Sequence, residues 1–229
     1  MVKVLQYRDR EGLANGLAAL VAGQLASTLA DQGHASLCVP GGTTPAPFLR
    51  AFSNAAIDWE NVSVMLSDER FVPETSSRSN TRLLRDTLLQ GPAAEAKLIP
   101  IFAEGERPED VLAQLSANIQ TALPLDICVL GMGADMHTAS LFPGADLLDQ
   151  ALDFNSDKIL LPMRAPNAGE PRLTLTAAVL RAAAKSHILI TGADKMRALE
   201  QAQQPGPITD APIRAILSGP GDIAIHYAD

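Results

Sequence analysis

Short apolar runs alternate with longer segments of helical periodicity along the chain. The apolar runs predict strands over residues 2–7, 36–39, 62–66, 126–130, 158–162, 186–191 and 213–217. Several of them are apolar throughout rather than at every second position, as in strands that are covered on both sheet faces. Segments of helical spacing predict helices over residues 12–30, 80–89, 108–122, 174–184 and 193–203.

This alternation predicts an α/β fold, in which helices flank a doubly wound, mostly parallel, Rossmann-like sheet. The sequence has no internal repeat, low-complexity block or change of composition that would mark a linker. We therefore expect residues 1–229 to form a single domain. In such sheets ligands bind beyond the carboxyl ends of the strands, so functional side chains are expected there.

The composition narrows the class of ligand. The chain is 47% hydrophobic and 19% charged, with a net charge of −8. An acidic surface disfavours general binding to nucleic acid or to an anionic membrane. A phosphate group is still compatible, because a few local cations and backbone N–H groups outweigh distant negative charge. We expect a small-molecule ligand, and neither nucleic acid nor membrane as a partner.

Cysteine usage and the N-terminal residues indicate the compartment. Cys38 and Cys128 lie in apolar runs without CxxC spacing, and are interpreted as buried small hydrophobes rather than a disulfide or metal site. The first residues lack the apolar core of a signal peptide, and no apolar stretch is expected to reach the ~20 residues of a membrane span. These features predict a cytoplasmic protein.

The first unusual strand end is residues 40–45, here named the anion loop. Its Gly41 and Gly42 let the backbone turn tightly and approach a ligand, while Thr43 and Thr44 add hydroxyl groups. Exposed N–H groups ahead of a helix would make an anion cradle. The alternative is an ordinary turn between strand and helix. The loop lacks the Gly-Lys-Ser/Thr ending of a Walker motif.

The second strand end places three charged residues directly after a buried strand. Asp68 is a candidate general base or orienting carboxylate, and the forked donors of Arg70 suit an anion. The alternative is a solvated loop that holds a local Asp–Arg pair.

The third strand end, residues 130–144, is the most informative and is here named the histidine loop. Its Gly-x-Gly start is not a dinucleotide fingerprint, because Met136 stands where the third glycine is expected. A histidine exchanges protons near neutral pH, so His137 is a candidate acid/base group. Asp135 is placed to shape its surroundings. The alternative is a loop histidine bonded to backbone.

The fourth region supplies cations. Arg172 is predicted just ahead of the helix over residues 174–184, and Lys195 in the first turn of the helix over 193–203. A helix dipole disfavours cations at this end, unless an anion binds beside them. The alternative is two ordinary surface charges.

Together these segments resemble the 6-phosphogluconolactonase family. The matching stretches are residues 40–45, 67–73 with Ser79-Asn80, 130–143, 172–176 and 192–195, in the family's order and across almost the whole chain. The stretch His-Thr-Ala-Ser-Leu-Phe-Pro is the most specific. The resemblance implies a fold similar to those of glucosamine-6-phosphate deaminases and ribose-5-phosphate isomerases.

The resemblance also implies roles for matched positions. It implies that Gly41, Gly42, Thr43, Thr44, Arg172 and Lys195 hold the 6-phosphate of 6-phospho-D-glucono-1,5-lactone, with Arg70 helping to bind anion or sugar. It implies that His137 is the catalytic base and that Asp68 and Asp135 line the site. One departure is Met136, where the family usually has glycine. If that position requires a positive φ, methionine would be strained there.

The expected reaction is hydrolysis of the lactone by water that His137 activates, without metal, cofactor or covalent intermediate. Two alternatives stay open: a glucosamine-6-phosphate deaminase/isomerase, and a non-catalytic sugar-phosphate sensor. The deaminases resemble the chain less after His137, since they have a glutamate where this sequence continues Ser140-Leu141-Phe142-Pro143. The state of association is expected to be a monomer or small homo-oligomer, and residues 165–171 are a candidate mobile flap.

Overall fold

A computed structural model of the protein describes residues 3–166 and 168–229. Its strands are β1 (Lys3–Gln6), β2 (Ala35–Val39), β3 (Val62–Leu66), β4 (Asp68–Arg70), β5 (Lys97–Leu98), β6 (Ile127–Gly131), β7 (Leu160–Met163), β8 (Arg172–Leu175), β9 (Lys185–Thr191) and β10 (Asp222–Ala228). Its helices are α1 (Arg10–Gln32), α2 (Ala46–Phe52), α3 (Asn80–Thr87), α4 (Leu112–Gln120), α5 (Leu148–Ala151), α6 (Ala177–Arg181), α7 (Ala193–Ala202) and α8 (Ile213–Leu217).

The strands form two sheets. Seven parallel strands make the central sheet in the order β1-β10-β9-β6-β2-β3-β5, and β4-β8-β7 make a smaller antiparallel sheet. The central strands β2, β3 and β6 are buried almost throughout, which explains their continuously apolar sequences. The prediction of a mostly parallel sheet flanked by helices is confirmed.

Helix α1 packs one face onto the sheet. The side chain of Asp9 caps its start by accepting from the N–H of Gly12 at 2.8 Å, and Gly33 ends it in the left-handed region. Leu17, Val21 and Leu25 form a fully buried stripe at helical spacing.

The same helix corrects one expectation from the sequence. Residues Arg10–Gln32 are long and apolar enough to cross a membrane by length and composition alone, so an apolar stretch of that size does exist. In the structure its apolar stripe packs against the sheet and α2, as in a core helix of a soluble protein.

Two predicted elements are wrong. Residues 213–217 form helix α8 rather than a strand; a five-residue apolar run fits either element, and Pro212 opens a helical turn whose Ile213, Ala215 and Ile216 are buried. The predicted helix over 174–184 begins later, at Ala177, because β8 occupies Arg172–Leu175. Strands β4, β5, β8 and β10 and helix α5 were not expected. Val2, in the first predicted strand, lies outside the described residues.

Candidate active site

The carboxyl ends of β2, β3, β6 and β9 meet at one edge of the central sheet and surround a cavity of about 280 Å³. The cavity is lined by Gly41, Gly42, Thr43, Thr44, Asp68, Arg70, His137, Arg172 and Lys195 among others. Nine of the ten residues predicted for the site thus line one cavity, and the tenth, Asp135, contacts His137. Their chemical roles stay predictions at this point.

The anion loop forms one wall of the cavity and leads into α2. Gly42 has a φ of +90°, which only glycine adopts without strain. Gly41 has ordinary φ but no room for a side chain, since a Cβ there would be 2.1 Å from Cγ of Asn80. The positive φ of Gly42 and the lack of space at Gly41 therefore explain why glycine stands at both positions, as expected from the sequence. Thr43 and Thr44 are exposed, with hydroxyl groups available to a ligand.

Strand β4 places Asp68 and Arg70 on the cavity side, because alternate residues of a strand point to the same face. Asp68 is buried and accepts hydrogen bonds from the hydroxyls of Ser67 at 3.0 Å and Ser140 at 2.6 Å. One of its oxygens lies 3.8 Å from a guanidinium nitrogen of Arg172. These contacts suit an orienting carboxylate better than a free general base.

His137 and Asp135 form a hydrogen-bonded pair within the histidine loop. Nδ1 of the imidazole lies 2.5 Å from Oδ1 of Asp135. Burial disfavours the charged carboxylate, but the charge and hydrogen bonds of His137 outweigh it, so the pKa of Asp135 lies below its usual value. An ionised carboxylate only accepts hydrogen bonds, so the proton is assigned to Nδ1. Nε2 is then the lone-pair nitrogen, which is the requirement for a base.

The loop that carries this pair is tightly turned. Met136 and Ala139 both have positive φ, of 63° and 48°. The N–H of Gly133 donates to the carbonyl of His137 at 2.9 Å, and the N–H of Ile213 donates to the carbonyl of Met136 at 3.1 Å. Met136 therefore does occupy a backbone conformation that favours glycine. Helix α8, whose residues 213–217 were predicted to be a strand, holds the loop through the N–H of Ile213.

Arg172 lies within β8 and pairs with Arg70 across the antiparallel ladder, so its predicted place just ahead of a helix is wrong. Its guanidinium lies 5.3 Å from the centre of the Phe142 ring. Burial lowers the pKa of Arg172, while Asp68 opposes this shift and Arg70 adds to it. Two neighbouring guanidinium groups, of which that of Arg172 is largely shielded from solvent, make a strong site for an anion.

Lys195 lies in the first turn of α7, as predicted, and its ammonium donates to the carbonyl of Met132. Burial lowers its pKa, although the charge of Asp135 works in the opposite direction. The half-buried ammonium thus contacts the histidine loop.

Sequence patterns missed several residues of the site. Asn80 and Phe142 line the cavity, and Ser140 binds Asp68. Phe142 and Ser140 stand in the histidine loop, so their position there was a usable signal. Asn80 follows the helix cap Ser79, whose hydroxyl accepts from the N–H of Arg82 at 3.2 Å; nothing local shows that its side chain reaches β4.

Residues 165–171 were expected to form a mobile flap. A carboxylate oxygen of Glu170 lies 2.8 Å from Nε of Arg78 and 3.5 Å from Nε of Arg70, and the N–H of Phe71 donates to the carbonyl of Pro171. The end of the segment is therefore tied to the site. Residue 167 lies outside the described residues, and mobility of the segment stays a prediction.

Across residues 3–166 and 168–229, no group of three or more His, Cys, Asp and Glu side chains is arranged to hold a metal ion. Cys38 and Cys128 are buried free thiols on neighbouring strands.

Comparisons with known proteins agree with this geometry. A family model described as glucosamine-6-phosphate isomerases/6-phosphogluconolactonase matches residues 8–225. A relative from Mesorhizobium japonicum named 6-phosphogluconolactonase is 46% identical over 224 residues, which cover 97% of this chain and 93% of the relative. A solved 6-phosphogluconolactonase from Shewanella baltica superimposes with a TM-score of 0.96 at 28% identity, covering 100% of this chain and 98% of that one.

A solved monomeric glucosamine-6-phosphate deaminase has a TM-score of 0.79 at 16% identity, covering 99% of this chain and 97% of that one. At that identity the likeness concerns the fold alone. From the match over residues 8–225 and the 46% identity over nearly the full length of a relative, we conclude that the chain belongs to the glucosamine-6-phosphate isomerase/6-phosphogluconolactonase family.

Proposed function

We propose that this protein is a 6-phosphogluconolactonase, which hydrolyses 6-phospho-D-glucono-1,5-lactone to 6-phospho-D-gluconate. The observation that carries the proposal is the His137–Asp135 pair beside a cavity with cations and an anion loop. The relatives that match most of the chain have this name. The product is a sugar acid of the oxidative pentose phosphate or Entner–Doudoroff route.

The proposed binding mode uses the cations for the phosphate. The N–H and hydroxyl groups of Gly41, Gly42, Thr43 and Thr44 hold the 6-phosphate, together with Arg172 and Lys195. Arg70 binds the anion or a sugar hydroxyl. Remote binding of the phosphate fixes the lactone carbonyl near His137, so that binding energy is used for orientation.

In the proposed chemistry, His137 acts first as a base and then as an acid. Nε2 of His137 takes a proton from water, and the resulting hydroxide adds to the carbonyl carbon C1. The bond from C1 to the ring oxygen then breaks, and the imidazolium returns its proton to that oxygen. Asp135 stabilises the imidazolium, and Asp68 orients Arg172. General base catalysis of this kind contributes ~10²–10⁴-fold.

Further parts of the proposal concern the whole molecule. We propose that residues 1–229 are one domain, since the family model spans almost all of them. We also propose that the enzyme acts in the cytoplasm as a monomer or small homo-oligomer, without metal, cofactor, nucleic acid or membrane.

The test is lactonase turnover on lactone generated in situ, with and without EDTA. The wild type is expected to exceed spontaneous hydrolysis equally in both. His137→Ala is expected to lose ~10²–10⁴-fold in kcat with an unchanged melting temperature, whereas His34→Ala, at an exposed position, retains full activity. A near-normal kcat in His137→Ala would show that His137 is not the catalytic base. Loss of activity with EDTA would disprove metal independence, and binding of 6-phosphogluconate without turnover would identify a sensor.

A further inference from the structure

Glu69 is a buried carboxylate beside the site, and it has no role in the proposed reaction. It stands in β4 between Asp68 and Arg70, which line the cavity, and it points to the opposite face. It is 1% exposed. A buried charge is costly unless its oxygens are satisfied by donors, so its partners indicate what it is there to hold.

All of those partners except the N–H of Arg70 lie at the start of α3. One oxygen of Glu69 accepts from the N–H groups of Arg70 at 2.7 Å and Asn80 at 2.8 Å. The other accepts from the hydroxyl of Ser79 at 3.1 Å and from the N–H and hydroxyl of Thr81 at 2.6 and 2.8 Å. A helix start has free N–H groups and a positive dipole end, so Glu69 fastens the first turn of α3 to β4.

The first residue of that turn reaches into the site. Nδ2 of Asn80 donates to the carbonyl of Asp68 at 3.1 Å, and Oδ1 accepts from Nη1 of Arg70 at 3.1 Å. The same amide lies against Gly41, where it leaves no space for a Cβ. One buried side chain thus contacts an arginine of the cavity and a glycine of the anion loop.

We propose that Glu69 is a positioning residue: by fixing the first turn of α3, it keeps Asn80 between Arg70 and Gly41 and so maintains the geometry that binds the substrate's anionic end. The identity of that substrate rests on the proposed function; the positioning itself rests on the contacts above. Glu69 acts through Asn80 and touches no reacting atom.

Glu69→Gln is the first variant to make. It preserves shape but replaces one acceptor oxygen with an N–H donor that faces other donors. Loss of charge-assisted hydrogen bonds predicts a rise of about 10- to 100-fold in KM for the lactone and in Kd for 6-phosphogluconate, with kcat changed by less than about threefold.

Asp126→Asn is the matched control. Asp126 accepts from the N–H and hydroxyl of Ser36 at 2.7 and 3.0 Å, at the amino end of β6 and away from the cavity. This variant is expected to lose thermal stability with KM unchanged. A Glu69→Gln variant that also loses only stability would show a merely structural role and overturn the proposal.

Asn80→Ala tests the route of the effect, since it removes the amide that contacts Arg70 and Gly41 while keeping the backbone N–H that Glu69 binds. It is expected to raise KM as much as Glu69→Gln does. The double variant is expected to show no larger rise than either single variant; additive effects would overturn the proposal. If Glu69→Gln does not fold, a wild-type KM in Asn80→Ala overturns it equally.

A crystal structure of Glu69→Gln separates this proposal from the proposed function. The contact between Asn80 Oδ1 and Arg70 Nη1, now 3.1 Å, is expected to break as the turn moves. A protein without lactonase turnover would disprove the proposed function alone. A contact retained in the Glu69→Gln structure would disprove the positioning role alone.

Discussion

Met136 stands between Asp135 and His137, the proposed acid/base pair, with a φ of 63°. For a residue with a side chain this conformation costs roughly 1–2 kcal/mol. The cost is tolerated because the loop is fixed on both sides, by the Gly133–His137 hydrogen bond and by the N–H of Ile213. Strain at such a position holds the imidazole in place, at some expense of stability.

Two substitutions of Met136 are expected to differ in stability. Met136→Val should unfold at lower urea concentration, with a loss of about 1 kcal/mol or more, since a β-branched side chain fits positive φ worse than methionine. Met136→Gly relieves the strain but loses side-chain contacts and gains freedom when unfolded. Its stability should stay within about 1 kcal/mol of the wild type. A valine variant as stable as the wild type would show that the backbone there is not left-handed.

For single residues, the sequence predicted those site residues whose neighbours in the chain form a recognisable pattern. It did not predict residues whose contacts lie far away in the sequence. Glycines, threonines and a histidine at strand ends are visible as patterns, and the cavity contains them. Glu69 could be noticed only as one of three consecutive charges. Apart from the neighbouring N–H of Arg70, its donors begin ten positions later, and no periodicity connects a strand residue to the first turn of a later helix.

Gly23, within helix α1, and Gly33, directly after its last residue, are in opposite situations. Gly23 lies on the exposed side within the helix, and a Cβ there would meet nothing within 4 Å. Gly33 ends the helix with a φ of 75°, and its N–H donates to the carbonyl of Leu29 at 2.8 Å.

The same substitution at these two positions is expected to change stability in opposite directions. Gly23→Ala should stabilise the protein by about 0.5–1 kcal/mol, because alanine loses less freedom within a helix. Gly33→Ala should destabilise it by about 1 kcal/mol, because alanine is strained in the left-handed region. Urea unfolding of both variants measures the difference, and shifts of the same sign would contradict this account of the helix end.

Long periodic helices and some short buried strands were predicted well, whereas other short segments were not. Residues 62–66 are a strand as expected, and α1 and α7 match their predicted helices closely. Residues 213–217 are equally apolar, but there Pro212 and the packing of the whole molecule favour a helical turn. Strand β10 is polar at its exposed start, and its pairing partners lie far away in sequence. Tertiary contacts determine whether such segments form strands or helices.

A chain of four side chains links α1, β9, β10 and Tyr7, the residue after β1. The hydroxyl of Tyr7 lies 2.9 Å from Nδ1 of His226, whose Nε2 lies 3.0 Å from Nδ1 of His187. Nε2 of His187 lies 2.8 Å from Oε1 of Gln24. If each imidazole has its proton on Nε2, Tyr7, His226 and His187 each donate once along the chain and Oε1 of Gln24 accepts at its end. A further proton on Nδ1 of His187 would face the N–H of His226, so that two donors would oppose each other.

These histidines are expected to make folding stability depend on pH. Burial, with a smaller effect of Lys185, lowers the pKa of His187 to about 4. Burial, with smaller effects of His187 and Lys3, lowers the pKa of His226 to about 3. The unfolded chain therefore binds more protons below about pH 6.5, and stability falls as the pH falls from there toward these values.

The measurement is the free energy of unfolding between pH 7 and 5, above the range in which most carboxylates titrate. Each of the two protons contributes up to about 1.4 kcal/mol per pH unit. The wild type should approach twice the slope of His187→Gln, and His34→Gln, at an exposed position, should retain the wild-type slope. An unchanged slope in His187→Gln would mean that this histidine is not buried in neutral form.

The order of the central sheet has a consequence for synthesis on the ribosome. Strand β1 stands at the sheet edge and pairs with β10, so the first strand in chain order has the last as its neighbour. About 200 residues separate them, which is ~10–40 s of translation at ~5–20 residues per second. During that time β1 lacks its partner strand β10, and the face of α1 that contacts β10 stays exposed. We therefore expect a nascent chain of this protein to expose surfaces that chaperones bind until β10 has emerged.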